Sequence, residues 1–202
     1  MNRTLASAFS VFLLLAGCDS SVPDGGQEKH SITDEENHLL RLILDRAPVD
    51  GRIAVVDPET RLVEDVAGDT RSYVAKGFRD SGYGIEPLVD RLFEVNRHPV
   101  RLTLESNAAR GCVIDYEGTY TVRINECLKW PDSRENWHRL REDLNVEGMV
   151  DVSIPVYDET AGLVLVYKGE LYGGLGGNGL IILYKYEEER LMLLARVSLW
   201  NF

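Results

Sequence analysis

An α+β fold, with helices packed on one face of a mainly antiparallel sheet that ends in a C-terminal β-meander, is predicted by three features of the 202-residue chain. Apolar residues recur at helical spacing near 34–46, near 87–95 and at Trp137, Leu140 and Leu144. Short apolar, strand-like runs stand between them. After Met149 the chain reads as consecutive strands joined by tight turns, the signature of a meander. In order, Thr33-Asp34-Glu35-Glu36 is a capping-box pattern, and Leu39, Leu40, Ile43 and Leu44 continue it as an amphipathic helix over 34–46, before Pro48. Ile53–Val56 and Leu62–Val66, parted by Asp57-Pro58-Glu59-Thr60, read as strand, turn, strand. A helix is expected over 71–79. Pro87 suits the first turn of another that carries Ile85, Leu88, Leu92 and Val95 on one face and stops at Arg97-His98-Pro99. A strand over Val100–Leu104 follows, then a hairpin of Val113–Tyr116 and Tyr120–Ile124 about Glu117-Gly118-Thr119. Asp132-Ser133-Arg134-Glu135 opens a helix bearing Trp137, Leu140 and Leu144. Strands near 150–157, 162–172, 179–187 and 190–200 complete the chain, turning at Asp158–Ala161, at the Gly-rich segment 173–179 and at Glu187–Arg190.

The N-terminus carries an address. Arg3 precedes an apolar run from Leu5 to Leu15, and Ala16-Gly17 stand before Cys18. A charged start, a short apolar stretch and small residues before a cut are the marks of a secretory signal peptide. Eleven helical residues reach about 16 Å, roughly half of a bilayer's hydrocarbon core, so the run is too short to span. Leu15-Ala16-Gly17-Cys18 resembles the lipobox of bacterial lipoproteins. That resemblance implies cleavage before Cys18, a diacylglyceryl thioether on its sulfur and acylation of its new amino group, palmitate being a typical acyl chain. Two or three acyl chains hold a protein on a membrane where one does not. Asp19 resembles the inner-membrane retention signal of some enterobacteria, a rule that varies between lineages. The expected organisation is a signal peptide over 1–17, a lipidated cysteine and flexible tether over 18–31 with Pro23, Gly25 and Gly26, and one α+β domain over 32–202.

With Cys18 assigned to lipid, Cys112 and Cys127 are an even remainder in an exported chain, where disulfides persist. Two readings stand. A bond between them would close a loop of about fourteen residues and contribute roughly 3 kcal/mol. Alternatively both are buried thiols, because strand alternation puts Cys112 and Cys127 on opposite faces unless the register shifts.

Charge narrows the partners. Arg3 is the one charged residue of the leader, so 22 Lys+Arg fall to 21 against 33 Asp+Glu, and the formal charge moves from −11 to −12. Such a surface repels nucleic acid and anionic headgroups and suits a basic envelope protein; solubility alone also explains it. Gly174-Leu175-Gly176-Gly177-Asn178-Gly179 matches the dinucleotide-binding pattern in letters. The required helix does not follow it, since Leu180–Tyr184 reads as strand. A hairpin loop in which Gly177-Asn178-Gly179 take positive backbone angles is the better reading. Gly173, Gly174, Gly176, Gly177, Asn178 and Gly179 exceed what a turn needs, so this loop is the candidate for close approach of a ligand or another strand. His30, His38, His98 and His138 lack metal-ligand spacing, no Cys-x-x-Cys occurs, and no serine sits in a nucleophile motif. No metal, cofactor or catalytic residue is therefore assigned. His138 with Glu135 and Glu142 could support acid–base chemistry, but helix-surface ion pairing explains them as well. Tyr167, Tyr172, Tyr184, Tyr186 and Trp200 gather in the terminal meander, as core or as a platform for a glycan or peptide.

Asn136-Trp137, Ser153-Ile154-Pro155-Val156-Tyr157-Asp158, the Gly-rich run, Leu183-Tyr184-Lys185 and Trp200 resemble a pattern in uncharacterised exported bacterial proteins. Those proteins often show a Cys before the Gly-rich loop and a closing Trp. Here Leu171-Tyr172 stand where that Cys is common and Leu191-Met192 near a frequent Trp, so the role of that Cys is not carried over. The expected function is a membrane-anchored envelope lipoprotein facing periplasm or exterior, a non-catalytic binding or scaffold protein. The alternatives are an envelope hydrolase acting on cell-wall material and an acidic inhibitor or immunity lipoprotein.

Overall fold

The computed structural model describes residues 30–45, 51–62, 69–128, 133–172 and 176–201. A seven-stranded mixed sheet runs through them in the order β2 (Cys112–Ile114), β1 (Ile53–Val56), β3 (Val146–Val152), β5 (Leu163–Tyr172), β6 (Gly176–Glu187) and β7 (Arg190–Asn201), with β4 (Val156–Asp158) also on β5. β1 pairs parallel with β2 and β3, and every other pairing is antiparallel. The α+β class and the C-terminal antiparallel strands predicted from sequence are present.

Alternation along each strand sends successive side chains to opposite faces. On one face α1 (Asp34–Leu44) lays Leu40 and Leu44 on Ala54, Val56, Val150 and Val152, and Leu39 and Ile43 on Val164, Val166 and Ile182. Its start is the predicted capping box: the Glu36 N–H donates to Thr33 Oγ1 at 3.2 Å, and the Thr33 N–H to Glu36 Oε2 at 2.8 Å. The other face carries two helix pairs. Through Ile124, Trp137 and Leu140, α4 (Thr119–Leu128) and α5 (Ser133–Leu144) cover Val55, Val146 and Met149. Through Val74, Phe78, Leu88, Val89 and Leu92, α2 (Thr70–Asp80) and α3 (Glu86–Val95) cover Leu165, Tyr167, Ile181, Leu183 and Val197. Helices therefore occupy both faces, not the single face expected.

Three local expectations are corrected. Tyr120–Ile124 is helix α4, not the second strand of a hairpin, because the buried Asp115 carboxylate accepts the Tyr120 and Thr121 N–H groups at 3.0 and 2.7 Å and starts a helix there. Val100–Leu104 forms no strand; one bridge, Glu59 to Arg101, ties it to the segment after β1. β1 is not the first arm of a hairpin but a parallel strand between β2 and β3. Of the expected partner Leu62–Val66, Leu62 lies outside any strand and the rest outside the described residues.

Candidate functional site

Between the two helix pairs one row of the sheet is left without a helix over it. Asp151 on β3 lies opposite Gly169 on β5, Gly169 opposite Gly179 on β6, and Gly179 opposite Trp200 on β7. Two glycines in the middle of this row make a trough, and the Trp200 indole lies in it. A Cβ on Gly179 would overlap the indole nitrogen and stand 2.5 Å from Cε2; one on Gly177 would stand 3.1 Å from Cζ3, and one on Gly169 3.5 Å from Cζ2. The Tyr167 hydroxyl lies over the same trough, 2.6 Å from where a Gly169 Cβ would be, and Trp200 hydrogen-bonds to it. This corrects the hairpin-loop reading of Gly177-Asn178-Gly179. They are strand residues of β6, paired to Leu171, Glu170 and Gly169, and none of Gly176, Gly177 and Gly179 has a positive φ. The glycines make room for an aromatic ring of the same chain.

Beside the indole a cavity of about 480 Å³ is lined by Thr60, Arg61, Leu62, Asn96, Arg97, Pro99, Asp151, Tyr167 and Trp200. Its place beyond the carboxyl ends of parallel β1 and β3 is where open sheets with parallel strands form crevices. Its walls are held from behind. The Arg61 N–H donates to the Val152 carbonyl at 2.8 Å, and its guanidinium pairs at 2.8 Å with buried Asp57. The other Asp57 oxygen accepts the Glu59 N–H at 2.9 Å. Buried Thr60 exchanges two hydrogen bonds with Val100, N–H to carbonyl at 2.8 Å and Val100 N–H to Oγ1 at 2.9 Å. Asn96 donates to the Leu92 and Ile154 carbonyls, both at 3.0 Å, and accepts the Ile154 N–H at 2.7 Å. That fastens the end of α3 to the bend between β3 and β4 and sets the position of Arg97.

Burial raises the Asp151 carboxyl above the usual range; Arg61 opposes this and Asp57 adds to it. Burial also pushes the Tyr167 phenol up to about 12, against the hydrogen bond from Trp200. The folded chain therefore favours the neutral phenol. Compared with a Tyr167→Phe variant, this contribution is expected to be complete below about pH 10, the unfolded value, and to be lost as pH rises through about 12. Denaturant unfolding of both proteins across that window measures it; a constant difference in stability would refute the buried phenol.

Cys18, Gly173 and Gly174 lie outside the described residues. Cys112 is buried on β2, its Sγ 3.1 Å from the Leu44 carbonyl on the α1 face. Cys127 belongs to α4, a helix that packs through Ile124 on the opposite face. His138 pairs with Glu142 at 3.4 Å on an exposed helix surface, and His38 meets the Tyr186 hydroxyl at 3.1 Å. No group of three His, Cys, Asp or Glu arranged for a metal occurs among the described residues. Sequence reasoning passed over Asp151, Arg61 and Arg97. The usable signal was Asp151, a carboxylate inside the apolar run Met149–Val152, since such residues are seldom buried without cause.

No protein-family model, curated protein or solved structure matches the chain.

Proposed function

We propose that this chain is a lipid-anchored protein of the bacterial cell envelope, held by acylated Cys18, whose body binds a ligand in the pocket between Asp151 and Trp200. The address rests on Leu15-Ala16-Gly17-Cys18 and the short apolar run before it. One observation carries the binding reading. Charged and aromatic side chains converge on a gap between two helix pairs, and Arg61 and Asn96 in its wall are fastened by bonds to groups behind them, which is part of the preorganisation that binding sites need.

A hydrolase reading draws on the same raised Asp151 carboxyl. Two-carboxylate hydrolysis needs a second carboxylate at work, and Asp57 is held on both oxygens by Arg61 and the Glu59 amide. Binding is accordingly the stronger reading. The acidic balance supports a basic envelope protein as an additional partner, one that high salt would release.

Mass spectrometry of the protein extracted from bacterial membranes tests the proposal. The wild-type chain is expected to begin at an acylated Cys18 and to retain a non-covalent small-molecule adduct that Trp200→Ala loses. Cys18→Ala is expected to keep its leader and carry no acyl mass. A wild-type chain without acyl groups would overturn the address; an adduct indifferent to Trp200→Ala would overturn the pocket.

A further inference from the structure

We infer that the pocket takes a small zwitterion, an amino acid or dipeptide with an apolar side chain; this rests on the binding reading above. Three charged residues line the pocket, Arg61, Arg97 and Asp151, and Asp57 stands behind Arg61. Arg61 and Asp57 close on each other at 2.8 Å and neutralise one another. Asp151 and Arg97 are left, opposite in sign, and neither makes an ion pair with a described residue. Asp151 stands on the floor of the sheet, part-buried, while Arg97 is exposed at the rim, just after α3.

Each candidate ligand can be weighed by the charge it leaves uncompensated. A simple anion pairs with Arg97 and leaves Asp151 facing only Arg61, a charge already held by Asp57. A simple cation does the reverse. A neutral sugar offers hydroxyls to both and neutralises neither. A molecule with an ammonium and a carboxylate satisfies both at no net charge, and charge-assisted hydrogen bonds are the strong ones. The aromatic wall agrees. An ammonium held by Asp151 shares the pocket with Trp200, an aromatic side chain of the kind that attracts cations. Leu62 and Pro99 offer apolar surface to the ligand's side chain. A volume of about 480 Å³ admits a molecule of this size and excludes a folded domain.

Isothermal titration of the full-length protein in detergent micelles tests this. The probes are the common amino acids, a set of leucine-containing dipeptides, the N-acetyl and C-amide derivatives of the tightest of these, a neutral hexose and a uronic acid. A zwitterion is expected to bind, and N-acetylation or Asp151→Asn to weaken it at least about tenfold. Amidation or Arg97→Gln should act similarly. The N-acetyl ligand should lose little more on Asp151→Asn, a coupling that misfolding would not produce. Zwitterion binding indifferent to both substitutions overturns the inference. Binding of only the hexose or uronic acid, abolished by Trp200→Ala, also overturns it and leaves the ligand-binding reading intact. If no probe binds and no adduct accompanies the purified protein, both fall.

Discussion

Replacing Gly148 with alanine is expected to cost about 3 kcal/mol or more of stability, whereas Gly84→Ala should cost nothing or add up to about 1 kcal/mol. Both glycines lack a positive φ, so backbone angle does not distinguish them. Surroundings do. A Cβ on Gly148 would run into the Leu171 carbonyl oxygen, with the Leu171 carbonyl carbon at 3.2 Å and Tyr172 Cα at 3.6 Å. All three are main-chain atoms of β5, which cannot turn aside as a side chain can. Relief requires moving β5 away from β3, and β5 also holds β4 and β6. At Gly84 a Cβ would have one neighbour, Glu86 Oε2 at 3.8 Å, and the residue is exposed. Urea unfolding of the two variants beside the wild type measures the contrast; equal stabilities would show that the β3–β5 approach is looser than described.

Gly179→Ala is expected to cost about 2–3 kcal/mol in the wild-type chain and close to nothing once Trp200 is alanine. The methyl would occupy the place of the indole nitrogen, Cε2 and Cδ1. The ring would have to leave the trough and give up its bond to Tyr167. Trp200→Ala alone should cost about 2–3 kcal/mol through lost burial. In the double variant the trough is already empty and the methyl has space. The coupling should therefore approach about 2 kcal/mol, far above the scatter for independent sites. Chemical denaturation of the four proteins gives this number. Additive costs would mean that the glycines and the indole do not share a space.

These residues also show what was legible in the sequence. α1 and α3 were readable because their signals are local: a capping box at Thr33–Glu36 and Pro87 in the first turn of α3. Long apolar runs with short turns likewise announced β5, β6 and β7. Helix α4 misled because Tyr120, Val122 and Ile124 alternate as a strand would. In the fold Ile124 is buried and Val122 is 57% exposed, and the deciding group is the buried Asp115 upstream. The glycine run reads as a hairpin loop, but Gly177-Asn178-Gly179 lie within β6, and the reason for the glycines is on another strand, in a tryptophan found only through the register of β6 on β7. The pocket was least legible. Its charges come from β3 and from the segments following β1 and α3, and only the folded sheet brings them together.

The position of β1 also bears on the timing of folding. β5, β6 and β7 are neighbours in sequence, and hairpins of that kind form within microseconds. β1 has four residues, and its ladder partners are Cys112–Ile114 and Val146–Val150. As the chain emerges progressively, Ile53–Val56 waits for residues far behind it, and such distant pairing slows folding. The parallel half closes only once β3 has emerged, and Arg61 is then fastened to it through its N–H. During that interval an apolar strand stands without neighbours, so the chain's period of greatest exposure to aggregation falls between synthesis of β1 and arrival of β3.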